Sequence, residues 1–245
     1  MDSSINFVTE SLPPYQVVNG QGELIGGTSY ALVRYIAQQA GIKANIKVMP
    51  WARAYRTALT EPNTFIFSMA RSPAREDKFI WLGRLRELRY HFYSYSSSNP
   101  KPDVLTDLFN KQIATVRDSI EEALLLELGF EFGKNLIQVG DYRSALEMVY
   151  RRRADAIYAN EYVVQGISNV LGHKKSPFVV IFTLNQGLEL YVAANKNSDE
   201  ELVNRFKNTF DNVFDSGIAK QIIAEQEWQI FSNSMNEAAS ENSSN

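Results

Sequence analysis

The sequence predicts an α/β fold built on mostly parallel sheets, and three observations favour it. Short apolar segments of strand length alternate with longer amphipathic segments along most of the 245 residues, which is the pattern of α/β proteins. Glycine, proline and polar residues separate the segments, as expected for loops. Apolar residues make up 44% of the chain, enough for a buried core in one or two domains.

The first third of the chain contains three predicted strands and two predicted helices. The first strand is Ile5–Thr9, and the first helix starts at Thr28 or Ser29, whose hydroxyls suit an N-cap. Within that helix Leu32 and Ile36 lie four residues apart and share its buried stripe. The other elements of this third are the strand Asn45–Met49, the helix Trp51–Leu59 and the strand Thr64–Ser68.

The remainder of the chain repeats the alternation. Phe178–Phe182 and Leu188–Ala193 are the last predicted strands. The final helix begins at Ser198, which has the spacing of a capping box with Glu201. Residues 232–245 are rich in Ser, Asn and Glu and are predicted to be disordered. The middle elements are the strand Lys111–Val116, the helix Ile120–Leu128, the strand Leu136–Val139, the helix Tyr142–Arg153 and the strand Asp155–Ala159.

Two extended segments indicate how the chain could form two lobes. Tyr90–Ser98 is extended and rich in aromatic residues, and it separates two complete α/β units. Leu188–Ala194 is a second extended segment, placed after the second unit. If both segments cross between lobes, one lobe contains both ends of the chain and the other contains its middle. Periodicity alone permits this arrangement without requiring it.

Composition excludes several classes of protein. The chain has no cysteine, which excludes disulfide scaffolds, thiolate metal sites and cysteine nucleophiles. Its two histidines, His91 and His173, are far apart in sequence, so we expect no histidine-rich metal site. A net charge of −3 and a pI near 5.6 argue against nucleic acid as the partner. No GxGxxG, Walker or GxSxG motif is present.

The sequence leaves the compartment open. No apolar run approaches the roughly 18 residues that a membrane-spanning helix requires. The start, Met1-Asp-Ser-Ser, has neither a basic segment nor an apolar segment of a signal peptide. The chain is therefore expected to be either cytoplasmic or a mature form that begins at an added Met1.

The densest group of polar residues, Ser68–Asp77, directly follows a predicted strand. Ligands of open α/β sheets bind beyond the carboxyl ends of the strands, so this is a suitable place for a site. Arg71 and Arg75 offer forked donors to a carboxylate or a phosphate. The alternative is a solvated loop whose arginines pair with nearby acidic residues, namely Glu76, Asp77 or Glu87.

Other predicted strand ends also carry polar side chains. Arg117, Asp118 and Ser119 end one strand and open a helix, and free N–H groups at a helix start can bind an anion. The alternative is that Asp118 or Ser119 only caps this helix. Asn160 and Glu161 end a third strand, and we expect them to face the same cleft. The segment after the second strand adds Trp51 and Arg53, although a lone Trp is more often a core residue.

The order of these motifs resembles one known family from about Ile5 to Trp228. The chain is similar to the solute-binding proteins of family 3, the polar amino-acid receptors of bacterial ABC importers. Each motif is weak alone, but their order and spacing extend over most of the chain. The motifs are Leu12-Pro-Pro-Tyr15, Gly22-Glu-Leu-Ile-Gly26, Ala40-Gly41, Ala70-Arg-Ser-Pro-Ala-Arg75, Leu105-Thr-Asp-Leu108, Arg117-Asp-Ser119 and Arg152-Arg-Ala-Asp155-Ala-Ile-Tyr-Ala-Asn160.

The resemblance implies a two-lobe type II periplasmic-binding fold that closes over its ligand by a hinge motion. Lobe one would comprise residues 1–93 plus 192–231, and lobe two residues 94–191. By position, Arg75 matches the arginine that clamps the α-carboxylate of the ligand. Ser119 matches a hydroxyl residue that shares this carboxylate. Ser68 and Ala70 match positions that contact the ligand through the backbone.

The chain departs from the family pattern at the position that receives the amino group. Asn160 stands where amino-acid receptors usually place an aspartate that pairs with the α-ammonium. A neutral amide cannot neutralise a buried cation. Glu10 or Glu161 could supply the missing charge. Recognition of a carboxylate is expected, but an α-amino acid as the ligand does not follow.

Two further departures concern the walls and rim of the cleft. Leu12 stands where many relatives carry a stacking aromatic residue, which leaves Tyr15 and Trp51 as the expected walls. The rim is more cationic than a neutral amino acid needs, because of Arg53, Arg71 and Arg117.

These features support three hypotheses. The first is a monomeric periplasmic protein, without cofactor or catalytic residues, that delivers a carboxylate-bearing solute to an ABC permease. The second is an enzyme resembling cyclohexadienyl dehydratases, with Glu161 or Glu10 as the general acid. The third is a sensor module that binds a solute and contacts a membrane receptor. Fold alone does not separate transport from sensing.

Overall fold

The computed structural model of the protein describes residues 4–95, 101–173 and 175–227. It confirms the α/β class, with mostly parallel strand pairing and helices flanking the strands. The predicted disordered tail and the end of the predicted segment Tyr90–Ser98 lie outside the described residues. Among the helices of the described residues, none is long and apolar enough to cross a bilayer.

The secondary structure follows the predicted alternation closely. The strands are β1 (Ser4–Thr9), β2 (Val17–Val18), β3 (Leu24–Gly26), β4 (Lys43–Val48), β5 (Thr64–Ala70), β6 (Phe79–Ser94), β7 (Ile113–Val116), β8 (Leu136–Val139), β9 (Ala156–Asn160) and β10 (Val179–Asn195). The helices are α1 (Thr28–Gln39), α2 (Trp51–Thr60), α3 (Pro73–Glu76), α4 (Ile120–Glu127), α5 (Tyr142–Tyr150), α6 (Glu161–Val170) and α7 (Glu200–Asp215). A 3₁₀ helix covers Leu105–Asn110, and residues 218–227 are helical.

The chain forms two compact units. Unit 1 comprises Met1–Met49, Ala54–Leu85 and Leu190–Asn245, and unit 2 comprises Pro50–Arg53 and Arg86–Glu189. The long strands β6 and β10 each contain a boundary between the units. The lobe limits implied by the family resemblance stay a prediction.

In unit 1, β1 lies between two parallel neighbours, β4 and β5, and β10 pairs antiparallel with β5. Parallel pairing places the carboxyl ends of β1 and β5 at the same edge, where Thr9 Oγ1 donates to the Phe67 carbonyl at 3.2 Å. Behind this edge the rings of Phe7, Phe65 and Phe206 pack with centroids 5.3–5.6 Å apart. The rigid aromatic core therefore supports the strand ends.

Unit 2 repeats this plan around β7. That strand pairs parallel with β8 and β9, and β6 pairs antiparallel with β9. The carboxyl ends of β7 and β9 consequently share an edge, and they lead directly into α4 and α6. Phe92 and Tyr158, with ring centroids 4.8 Å apart, form the centre of the core, and Phe130 packs on Phe92.

Four sequence-based expectations differ from the structure. The N-cap expected at Thr28 or Ser29 is wrong: Gly27 is at the N-cap of α1, and no side-chain hydrogen bond caps this helix. The two strands predicted at Phe178–Phe182 and Leu188–Ala193 are parts of the single strand β10. Helix α6 was not predicted, although its first residues directly follow β9. The capping box at Ser198 is wrong: α7 is capped by Asp199, whose carboxylate accepts from the Leu202 N–H at 3.0 Å. The carboxylate also complements the positive end of the helix, which a serine does not.

Gly83 of β6 lies against the ring of Phe210 from α7. A Cβ added at Gly83 would be 2.1 Å from a ring carbon of Phe210. We therefore expect Gly83→Ala to lower the free energy of unfolding by about 1–3 kcal/mol through overpacking. Urea denaturation would measure the loss. Gly20→Ala is the matched control, since no atom lies within 4 Å of its added Cβ; equal effects of the two variants would contradict this packing argument.

Candidate functional site

Arg75 is a buried arginine of the short helix α3, which follows the carboxyl end of β5. The residue is 6% exposed, and its Nη1 donates to the carbonyl of Ala70 at 3.0 Å. The guanidinium also stacks over the ring of Tyr55, with 5.1 Å between its central carbon and the ring centroid. Both contacts come from unit 1 and hold the planar cation in one orientation.

Ser68 lies on β5 and is held by a residue that the sequence did not indicate. Its φ of +58° is in the left-handed region, and the residue is 5% exposed. Its Oγ accepts a hydrogen bond from Nε2 of Gln16, whose side chain is fully buried. The Leu12 N–H donates to the carbonyl of Gln16 at 3.0 Å, so the turn after β1 positions this amide.

Two other predicted residues of unit 1 are also buried. Glu10 directly follows β1 and is 6% exposed, so it lies at the same strand edge as Ser68. Tyr15 is 1% exposed, and its carbonyl accepts from the backbone N–H groups of Ser29 and Tyr30 at 3.1 and 3.2 Å. Tyr15 therefore supports the start of α1 from the core of the unit.

Arg71 is paired within its own loop. Its Nε donates to a carboxylate oxygen of Glu76 at 2.8 Å, and Nη2 donates to the other oxygen. The guanidinium lies 5.3 Å from the ring centroids of both Trp81 and Tyr191. The hydrogen bonding between Arg71 and Glu76 lowers the pKa of Glu76 and raises the pKa of Arg71. The sequence left two roles open for Arg71, namely binding an anionic ligand or pairing with a nearby acidic residue. In the structure Arg71 pairs with Glu76.

In unit 2, Ser119 caps α4 at the end of a strained turn. Its Oγ accepts from the Glu122 N–H at 3.1 Å. Asp118 before it has a φ of +58°, and its N–H donates to Oε1 of Glu122 at 3.0 Å. Gln138 Nε2 donates to Oε2 of the same carboxylate at 2.7 Å, while Gln138 Oε1 accepts from Arg117 Nε at 3.0 Å. The predicted cap is thus present, and Arg117 belongs to the network that supports it.

Asn160 ends β9 and caps α6. It is 2% exposed, and its Oδ1 accepts from the Val163 N–H at 3.0 Å. Glu161, the next residue, is exposed in the first turn of α6. The indole N–H of Trp51 donates to the carbonyl of Asp118 at 2.8 Å, and Trp51 is 4% exposed. Trp51 is consequently tied to the turn that carries Ser119.

Each unit therefore gathers its own part of the predicted site. Unit 1 places Glu10, Ser68, Ala70 and Arg75 near the ends of β1 and β5. Unit 2 places Trp51, Ser119 and Asn160 near the ends of β7 and β9. The described residues contain no group of three or more acidic, histidine or cysteine side chains that could hold a metal ion.

Sequence reasoning missed Gln16, Tyr55, Glu122 and Gln138. The Ser119-x-x-Glu122 spacing is a capping-box pattern and could have indicated Glu122. Gln16, Tyr55 and Gln138 reach the site residues from other parts of the chain, and no local pattern marks them.

Comparison with known proteins decides the family. The model of the bacterial extracellular solute-binding proteins, family 3, matches residues 5–228. The chain belongs to this family. The relationship that the order of motifs predicted is therefore confirmed. A search of curated proteins found no match.

Solved structures share the fold of this family 3 protein at low sequence identity. A histidine kinase sensor domain with similarity to periplasmic binding proteins has a TM-score of 0.80 at 18% identity, covering 91% of this chain and 95% of that one. A mutant of ArgBP from T. maritima has a TM-score of 0.77 at 17% identity, with the same coverage. The substrate-binding protein of an amino acid ABC transporter has a TM-score of 0.76 at 17% identity, covering 91% and 98%. The periplasmic-binding-protein fold is thereby confirmed.

The Trp51 hydrogen bond can be tested by substitution. We expect Trp51→Phe to lower the free energy of unfolding by about 0.5–1.5 kcal/mol, because the hydrogen bond from the buried indole N–H to the Asp118 carbonyl is lost. Denaturation followed by circular dichroism would measure this. Trp81→Phe is the matched control, because its indole N–H makes only a 3.4 Å contact with the Glu76 carbonyl. A smaller effect at Trp51 than at Trp81 would count against the role of this bond.

Because of two buried tyrosines in unit 2, we expect the free energy of unfolding to fall at alkaline pH. Burial and the charge of Glu161 raise the pKa of Tyr93 to about 12, and burial and Glu121 raise that of Tyr158. The unfolded chain therefore loses these protons first, so the free energy of unfolding falls as pH rises from 10 towards 12. We expect Tyr158→Phe to make this fall shallower by up to about 1.4 kcal/mol per pH unit.

Urea denaturation at pH 8, 10 and 11 would measure the slope for each variant. Tyr162→Phe, at a tyrosine that is 40% exposed, is the matched control. The assignment of the alkaline loss to burial fails if Tyr158→Phe and Tyr162→Phe change the slope equally.

Proposed function

We propose that this family 3 protein captures a small carboxylate-bearing solute in the periplasm and delivers it, as a monomer, to an ABC permease of the inner membrane. The observation that carries the proposal is Arg75, a guanidinium that is 6% exposed and oriented by Ala70 and Tyr55. Closure about a hinge on binding, which the resemblance implies, is part of the same proposal.

The chemistry of Arg75 favours a carboxylate as its ligand. A guanidinium presents its N–H donors in a planar fork that matches the two oxygens of a carboxylate. Away from water such a charge-assisted pair is stronger than at a surface. Ser68 and Ala70 lie on the same strand end, so the carboxylate can also reach hydroxyl and backbone groups of β5 there.

Ser119, Asn160, Trp51 and Tyr15 complete the set of residues that we assign to ligand binding from the family positions. Glu10 and Glu161 are the acidic members of that set. Arg71 and Arg117 stay predicted ligand residues, but in the structure each bonds a neighbouring side chain, Glu76 and Gln138 respectively.

We propose stoichiometric binding without catalysis, since family 3 consists of solute-binding proteins. A dehydratase would use Glu161 or Glu10 as a general acid and would release product continuously. Incubation with prephenate or arogenate is expected to give no product, and steady turnover would overturn this proposal.

Sensing is the second candidate function, favoured by the similarity to a histidine kinase sensor domain at a TM-score of 0.80. Once a solute is known, the two functions can be distinguished in cells that lack the protein, by measuring uptake of the solute and the transcriptional response to it. Delivery to a permease predicts that uptake of the labelled solute is lost. Sensing predicts that uptake continues and only the transcriptional response is lost.

A thermal-shift screen would identify the solute. The panel contains amino acids, dicarboxylates, small peptides and aromatic acids. A ligand at about 100 times its Kd adds about 2.7 kcal/mol to the free energy of unfolding. For a chain of this size we expect the melting temperature to rise by roughly 5–10 °C. If no carboxylate in the panel raises the melting temperature, the proposal is contradicted.

Arg75→Lys tests the role of the guanidinium fork directly. Lysine keeps the positive charge but cannot form the planar two-point contact. We expect the affinity for the carboxylate solute to fall about 10- to 100-fold, measured by isothermal titration calorimetry. Arg34→Lys, at an exposed arginine of α1, is the matched control. Unchanged affinity in the properly folded Arg75 variant would remove Arg75 from the site.

A further inference from the structure

A basic turn of unit 2 lies away from the residues that we assign to solute binding in that unit. Arg151, Arg152 and Arg153 directly follow α5, and all three are exposed. The turn leads into the amino end of β9, whereas Asn160 is at the carboxyl end of that strand. The two ends of this five-residue strand lie about 13 Å apart. The three arginines therefore belong to a separate surface.

The backbone of this turn is held in place by hydrogen bonds. The N–H groups of the three arginines donate to carbonyl oxygens in the last turn of α5 at 2.8–3.0 Å. Arg152 has a φ of +55°, and its guanidinium lies 6.0 Å from the ring centroid of Tyr95. The arginines are thus presented from a defined turn beside an aromatic ring.

The positive charge of the turn is not neutralised. Within the part of the chain that the structure describes, none of the three guanidinium groups forms an ion pair. The acidic residues nearest in sequence have other partners. Glu147 pairs with Arg143 at 3.2 Å, and Oδ2 of Asp155 accepts from the Gln112 N–H at 2.7 Å. The carboxyl end of α5 carries only about half an elementary negative charge, which offsets a small part of three positive charges.

Aromatic and apolar side chains adjoin the arginines. Tyr150 directly precedes them, is 39% exposed, and packs on Tyr95 with ring centroids 4.8 Å apart. The ring of His173 lies 5.3 Å from that of Tyr150. Val170, three residues before His173 at the end of α6, is 47% exposed. We call this set of residues the basic-aromatic surface: Tyr95, Tyr150, Arg151, Arg152, Arg153, Val170 and His173.

This combination of side chains fits a bilayer with anionic headgroups. Consecutive side chains do not face one another, so three consecutive arginines spread their charge over an area and do not converge on one anion. Basic residues near a negatively charged lipid surface are attracted to it. Tyrosine rings favour the headgroup level, where the apolar ring and the hydroxyl are both accommodated. The exposed Val170 favours a bilayer over a free phosphate or an acidic peptide, because neither offers it an apolar region.

We propose that the basic-aromatic surface binds to a bilayer that contains anionic phospholipids. Arg151, Arg152 and Arg153 contact the headgroups, and Tyr150 lies at their level. The proposal involves residues of unit 2 alone and none of those assigned to solute binding. Its failure therefore leaves the proposed capture of a carboxylate solute intact, and the reverse also holds.

Sedimentation of the full chain with vesicles tests the proposal. One set of vesicles is pure phosphatidylcholine, and the other also contains about 30% phosphatidylglycerol as the source of surface charge. We expect binding to the anionic vesicles and none to the neutral ones. Raising NaCl from about 50 to about 500 mM should release the protein, because salt screens charges at a surface.

Replacement of the three arginines identifies the surface. The variant Arg151→Gln, Arg152→Gln, Arg153→Gln should have a partition coefficient about 100-fold below that of the wild type, since each basic residue near an anionic surface strengthens binding about fivefold. Its affinity for a carboxylate solute should be unchanged. Circular dichroism would verify that the variant is folded.

A matched control separates the position of the charge from its amount. The variant Lys43→Gln, Lys47→Gln, Lys220→Gln removes three exposed positive charges of unit 1. Both triple variants thus lower the net charge of −3 by the same three charges. We expect the lysine variant to retain vesicle binding within about twofold of the wild type, because its charges lie outside the contact.

A further pair of variants locates the contact. Val170→Glu places a negative charge within the basic-aromatic surface and should weaken vesicle binding about fivefold or more. Ile25→Glu is the control, since Ile25 is a 63% exposed apolar residue of unit 1, and this variant should bind like the wild type.

Four results would overturn the proposal. The first is absence of binding to the anionic vesicles at low salt, and the second is equal binding to the neutral ones. The third is an equal loss of binding in the two triple variants or in the two glutamate variants. The fourth is tighter binding of a single-stranded oligonucleotide or a polyaspartate peptide than of the vesicles, if that binding also depends on the three arginines.

Discussion

Parallel strand pairing is the constraint on which the candidate site depends. Around β1 in unit 1 and around β7 in unit 2, parallel neighbours end at a common edge. Residues that are far apart in sequence, such as Glu10 and Ser68, are thereby brought to one edge of a unit. The aromatic cores behind these edges, centred on Phe7 and Phe92, hold the strand ends in place.

Helix capping is the second recurrent feature of the site. Ser119 follows β7 and Asn160 ends β9, and the side chain of each caps a helix by accepting a backbone N–H. Each of these oxygens accepts one hydrogen bond in the cap and has a second lone pair, and the hydroxyl of Ser119 also has a proton to donate.

Similarity of fold and identity of ligand are separate matters in this family. The three solved structures named above are 17–18% identical to this chain, so most side chains at equivalent positions differ. The fold is retained at this low sequence identity because it depends on the pattern of buried apolar residues and on strand pairing, and many sequences satisfy both. Ligand choice depends on a few polar side chains, which the fold alone does not fix.

Local pattern in the sequence determined the α/β alternation, most strand and helix limits, and the family to which the chain belongs. Hydrophobic periodicity, caps and turn residues act over a few positions, so one sequence suffices to read them. The exceptions include local ones: Asp199 and not Ser198 caps α7, Gly27 is at the N-cap of α1, and the two segments predicted as separate strands are the single strand β10.

Tertiary structure alone decided which polar groups meet. Arg71, in the loop after β5, and Arg75, in α3, are four residues apart. Arg71 bonds Glu76 between two aromatic rings, whereas Arg75 is buried against Ala70 and Tyr55. Gln16 reaches Ser68 across 52 positions of the chain. Such contacts depend on strand register and side-chain direction, which emerge only when distant segments pack together, and no local pattern encodes them.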